Sequence, residues 1–209
     1  QSATTGANSV AIGYAALDAV TTNSNNVAIG HNALTTSTAE GNTAVGYESA
    51  KSNTTGYRNV SMGKDSFADN TTGNQNVAIG NNALEKNTTA GDNTAVGFQA
   101  LTAATTGSQN VAVGANALDA NTTAANNTAV GYNAMTNNTT GTANVAVGTA
   151  SLVNPTGSSN NVAVGYAALN AVSTGSSLTA VGKDALIANT TGDNNIGIGR
   201  DAGQSITTG

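Results

Sequence analysis

Short apolar stretches alternate with longer polar ones along this chain at a nearly constant interval. The tetrapeptide Val-Ala-Ile-Gly and its variants occur twelve times, ending at Gly13, Gly30, Gly46, Gly63, Gly80, Gly97, Gly114, Gly131, Gly148, Gly165, Gly182 and Gly199. Ten of the eleven intervals are 17 residues, and the one from Gly30 to Gly46 is 16. Positions below are counted from each of these glycines as zero. Position −1 is Ile, Val or Met, as in Ile12, Val45 and Met62, and position −3 is Val, Ile or Thr. Position −2 is Ala in ten copies, with Ser61 and Gly197 as the exceptions. Mostly β-branched residues at alternate positions read as a short strand. The glycine ends that strand, where the chain must turn with positive φ or pass too near a neighbour to carry a Cβ.

Position +3 is Ala or Ser, and position +4 is Leu in eight copies, replaced by Ala50, Phe67, Met135 and Gly203 in the others. A second short strand is expected there. An Asn-Thr-Thr-Gly corner follows, as at Asn53 to Gly56 and Asn70 to Gly73. In such a corner Asn bonds its own backbone and Gly supplies positive φ. No window sustains the i, i+3, i+4 spacing of a helix. The pattern predicts an all-β fold, a parallel β-solenoid of about 17 residues per coil and twelve coils. One repeat domain is expected over residues 1–209, read as a fragment of a longer protein.

One coil has too few large apolar side chains to offset the entropy of ordering its backbone, so coils must stack to fold. The expected interior ladders are Val or Ile at −1 and Leu at +4. Ala at −2 then lies on the opposite face of the strand, where a column of small residues lets a second chain approach, so a homo-oligomer is expected. Asn at −4, in ten copies, and Thr at +8, in eleven, predict two polar columns bonded along the stack.

Composition agrees with a regular structure that needs few large side chains. Leu, Ile, Val and Phe make up about a sixth of the chain, and charged residues only 8%. With six basic residues, a net charge of −5 and an isoelectric point near 4.4, the cations that neutralise nucleic-acid phosphates are missing. No apolar run approaches the length of a membrane span, and there is no cysteine. A chain opening on Gln1 rather than Met reads as processed or excised.

Little in the sequence suggests catalysis. His31, the one histidine, falls at +1, a position also filled by Tyr, Lys, Asn and Ala, and reads as a surface residue. Asp65, Asp184 and Asp201 at +2 follow Lys64, Lys183 and Arg200, which suggests surface ion pairs, or bridges between chains as a sharper alternative. Asn-x-Thr acceptors at Asn53, Asn70, Asn87, Asn121, Asn137, Asn138 and Asn189 mostly share the +7 corner, and turn chemistry accounts for them without glycans. No cofactor, metal site or catalytic residue is expected. The candidate contact residues are Tyr14, Tyr47, Phe98, Tyr132 and Tyr166, all at +1, whose rings offer flat apolar area to a receptor or a glycan.

Asn-Ser-Val-Ala-Ile-Gly at Asn8 to Gly13, with a small residue three positions later, resembles the head repeat of YadA-like trimeric autotransporter adhesins. Similar Asn-Thr-Ala-Val-Gly and Asn-Thr-Thr-Gly repeats occur in bacteriophage tail fibres. The resemblance covers nearly the whole chain and returns in register twelve times. It implies a left-handed β-roll, a parallel homotrimer, a longer fibrous protein around this segment, and an extracellular place on a cell surface or a virion fibre. The adhesin repeat is typically shorter, and no stalk, anchor or chaperone domain is present, so adhesin and phage fibre both stay open. The expected function is a structural and adhesive fibre segment. The rival is an ice-binding or other ligand-binding solenoid, which adjacent Thr at +8 and +9 fit poorly because they point to opposite faces.

Overall fold

The computed structural model describes residues 7–19 and 23–208. Twelve strands of three residues, from β1 (Val10–Ile12) to β12 (Ile196–Ile198), form one parallel sheet in strict sequence order. Each position of a strand faces the same repeat position in the next coil, as Val77 faces Thr94, Ala78 faces Ala95 and Ile79 faces Val96. The described residues contain no helix. The chain is therefore an all-β parallel β-solenoid with one 17-residue coil per rung.

The two sides of the strand are the reverse of what the sequence suggested. Ala28, Ala44, Ala78, Ala95, Ala112, Ala129, Ala146, Ala163 and Ala180, all at −2, are fully buried. The Val, Ile and Thr residues at −3 and −1 point outward and are half-buried in the middle coils. At the ends they are more open, with Ile12 59% and Ile198 69% exposed. The strand backs onto the segment carrying Ala or Ser at +3 and Leu at +4, as the contact of Ser61 with Ser49 shows. At Gly197, the −2 position of the last strand, even a Cβ would lie 2.8 Å from Leu186 Cγ, so beside the inward leucine there is no room for a second large side chain. Leu at +4 is inside, as expected, from Leu34 to Leu186. Two exceptions compensate locally. Phe67 adjoins the coil where Ala50 replaces Leu, and Ser61 meets Ser49 in a buried 2.7 Å hydroxyl pair.

The second strand is not formed. Residues at +2 and +4 take left-handed backbone angles in coil after coil, as Asn82 (φ 57°) and Leu84 (φ 52°) do. The segment folds into successive turns that still bond between coils. Leu84 N–H donates to Ala100 O at 2.9 Å, and Asn82 N–H donates to Lys64 O at 3.0 Å. A left-handed non-glycine residue costs roughly 1–2 kcal/mol. Burying its leucine side chain contributes a comparable 1.5–3 kcal/mol.

Every zero glycine but the last, Gly199, needs both freedoms anticipated for it. Gly80 has φ +134°, and a Cβ there would lie 2.3 Å from the carbonyl oxygen of Gly97. Those of the Asn-Thr-Thr-Gly corner need only space. Gly56 is not left-handed, but a Cβ on it would fall 2.4 Å from Asn53 Oδ1. The left-handed residue comes two places later, at Arg58.

Both polar columns form, largely through the backbone. At −4, Asn59 Oδ1 accepts the Asn76 N–H at 2.9 Å, while Asn59 Nδ2 donates to Gly73 O at 2.9 Å and closes its own coil. At +8, each hydroxyl donates to the carbonyl one coil on, as Thr54 does to Thr71 O at 2.8 Å. A third column, at +7, links amides directly. Asn70 Nδ2 donates to Asn53 Oδ1 at 2.6 Å, and Asn87 Nδ2 to Asn70 Oδ1 at 2.8 Å.

Candidate functional site: an aromatic edge

The residue after each glycine leaves the sheet at the same edge, because the +2 N–H donates to the +1 carbonyl of the preceding coil. Asn32 bonds Tyr14 O and Glu48 bonds His31 O, both at 2.9 Å, and the pattern continues to Asp201 on Lys183 O at 2.9 Å. Tyr14, Tyr47, Phe98, Tyr132 and Tyr166 therefore align along one edge, and each is 47–75% exposed.

The five rings do not form one uniform file. Tyr14 and Tyr47 sandwich His31, with ring centroids 5.1 and 5.3 Å apart and interplanar angles of 20° and 13°. His31 is a surface residue, as its repeat position suggested, and it is also part of the aromatic edge. Phe98, Tyr132 and Tyr166 have no stacked neighbour and are about half exposed. Lys183 Nζ lies 5.8 Å from the Tyr166 ring centre.

Charge clusters beside Tyr47. The Glu48 carboxylate is held below its ordinary pKa, first by a hydrogen bond from Lys51 at 2.6 Å and then by one from Tyr47. The same contacts raise Lys51 and the Tyr47 phenol above their ordinary values. The aspartates at +2 that follow a base pair with it in their own chain. Lys64 meets Asp65 at 3.4 Å, Arg200 meets Asp201 at 3.2 Å, and Lys183 contacts Asp184. Among the described residues no group of three or more His, Asp or Glu side chains could hold a metal ion.

Six of the seven Asn-x-Thr acceptors lie inside. Asn53, Asn70, Asn87, Asn121, Asn138 and Asn189 are fully buried at the +7 corner, which closes them to a glycosyl donor once the chain has folded. Asn137 is exposed, and so is Asn126, an eighth acceptor two residues before Thr128. A feature missed in the sequence sits where the 16-residue interval shortens the corner. Asn23, Thr38, Glu40, Thr55, Tyr57 and Arg58 border an open hollow of about 450 Å³ there. The single short interval was its signal.

The edge presents flat, half-exposed rings with room for flat or apolar groups. No protein-family model, curated protein or solved structure matches this chain.

Proposed function

We propose that this chain is a stiff segment of an extracellular fibre, a bacterial adhesin head or a phage tail fibre, that presents attachment surfaces to a host or cell. In this reading it is not an enzyme, and it works as a parallel homotrimer with no nucleic-acid partner and no membrane insertion of its own. The observation that carries the reading is the outward −1 column, which is Ile, Val or Met in every rung from Ile12 to Ile198 and is flanked at −3 by Val or Ile in eight rungs and Thr in four. Twelve rungs at about 4.8 Å give a band on the order of 55 Å long. A continuous apolar band marks a site of association. Parallel chains bring identical rungs to one height, and the likeness to adhesin head repeats supports three of them. The Ala column cannot serve as the contact face, since it is buried within each coil.

Light scattering on the isolated segment tests the reading, with a trimer mass as the expected result. Ile79→Asp combined with Val113→Asp should reduce the assembly to monomers, because charges placed in a buried contact lose their hydration. A wild-type chain that stays folded and monomeric at micromolar concentration would overturn it. The rival ligand-binding reading rests on an exposed file of Thr at +9, including Thr55, Thr72, Thr89 and Thr106. The +8 hydroxyls beside them are already bonded to carbonyls, leaving one rank where an ice lattice needs two. A thermal-hysteresis assay separates the two.

A further inference from the structure

The +1 edge is closed at one end and notched farther along. In the first three coils Tyr14, His31 and Tyr47 fill it as a continuous stack. From the sixth coil to the tenth, rings alternate with small residues in the order Phe98, Ala115, Tyr132, Thr149, Tyr166. The backbone register is the same in both stretches. Asn116 bonds Phe98 O, Asn133 bonds Ala115 O, Ala150 bonds Tyr132 O and Ala167 bonds Thr149 O, all at 2.9–3.1 Å. Neighbouring rings in the notched stretch are thus two rungs apart, about 9.6 Å at the usual spacing. That is the gap His31 fills between its two tyrosines. Above Ala115 and Thr149 the protein supplies no ring of its own.

We propose that these two gaps are slots for a neutral pyranose of gluco configuration, held edge-on between Phe98 and Tyr132 and between Tyr132 and Tyr166. With the walls turned as Tyr14 and Tyr47 are around His31, a ring in such a slot presents both faces to aromatic walls, whose electron-rich faces attract C–H bonds. A pyranose with every hydroxyl equatorial carries axial C–H bonds on both faces. A galacto sugar turns one hydroxyl towards a wall and leaves it unpaired. The equatorial hydroxyls point outward around the rim. The rim is uncharged, with Gln99, Asn116 and Asn133 at +2 and Thr149 on the floor of the second slot. No charged residue occurs at +1 or +2 from Phe98 to Ala167. Lys183, which approaches Tyr166, belongs to the next coil outside the slots, so an acidic or basic ligand would find no counter-ion between the rings.

A second copy of the chain cannot fill the slots, since parallel copies in register set their rings at equal heights. The assignment deepens the attachment role proposed above and rests on this edge staying open in the assembled rod. Saturation-transfer NMR on the assembled protein tests it, with methyl β-D-glucopyranoside and methyl β-D-galactopyranoside compared at equal millimolar concentration. The glucoside should show transfer to protons on both faces, several-fold stronger than the galactoside. Ala115→Phe with Thr149→Phe completes the stack without removing a ring, and it should abolish the signal at an unchanged melting temperature. Tyr132→Ser removes the wall shared by both slots and should do the same. Equal signals for the two sugars, or a signal that survives the filled variant, would overturn the proposal. Transfer to N-acetyl-tryptophanamide with none to the glucoside would also overturn it, by assigning the slots to a protein ring. Light scattering on the same samples keeps the two readings apart. An assembled rod that binds no sugar fails only the slots, and a monomer that binds fails only the assembly.

Discussion

The −4 asparagine ladder runs whole through the middle of the rod and breaks near its C-terminal end, whereas the +7 ladder is already interrupted at Ala104 and Pro155. From Asn26 to Asn161, each −4 amide accepts the backbone N–H of the next rung at 2.9–3.0 Å and donates to the carbonyl that closes its coil at 2.9–3.1 Å. Then Val172 replaces Asn at +7 and Leu178 replaces Asn at −4, both fully buried. The cost appears one rung on. Asn189, next to Val172 in its column, has both side-chain amide atoms buried without a partner, and so does Asn195 Nδ2, next to Leu178. Asn87 Oδ1, facing Ala104 across one rung, is orphaned in the same way. A ladder residue stabilises its coil only as far as its neighbour completes it.

The largest effect should come from breaking the intact region. Asn110→Leu removes the acceptor of the Asn127 N–H and the donor to Ala124 O. Two stranded buried groups cost on the order of 3 kcal/mol, read as a lower urea midpoint. An unchanged midpoint would show that the ladder does not hold the rod. A smaller effect of opposite sign in the two regions sharpens the contrast. Asn70→Val should lose about 2 kcal/mol, whereas Asn189→Val, which deletes two unpartnered groups, should gain about 1 kcal/mol. Matching losses at both sites in thermal melts would contradict the comparison. The smallest effect is Val172→Asn alone, within about 1 kcal/mol of the parent, because a regained amide contact offsets lost apolar burial. In that background Asn189→Val should turn from stabilising to destabilising. A double-mutant cycle measures that reversal.

The period, the sheet register, the buried Leu column and the polar ladders could all be read from recurrence, because stacking places like residues in contact. Which side of the strand faces inward could not be read from hydrophobicity. The strand is apolar on both sides, and the larger residues lie outside. The better clue was variability. Position −2 is almost always Ala, as confinement between walls requires, whereas −3 accepts Thr43, Thr94, Thr128 and Thr179, as an open face allows. The left-handed leucines were hidden because no propensity places Leu84 at φ 52°. Only the demand that its side chain enter the coil does so. Of the aromatic edge, the alignment was legible and the sandwich around His31 was not, since stacking depends on which neighbours happen to be rings.

The closure of each coil by its own asparagine also has a genetic consequence. Asn59 ties off its coil at Gly73, and each coil then touches only the coils on either side. Duplication or loss of one whole unit of coding sequence therefore leaves the remaining coils with the contacts they had. Rod length becomes a countable trait that changes in steps of about 4.8 Å. The one unit that departs from this length, between Gly30 and Gly46, is a residue shorter and leaves its mark as the hollow at the exposed corner.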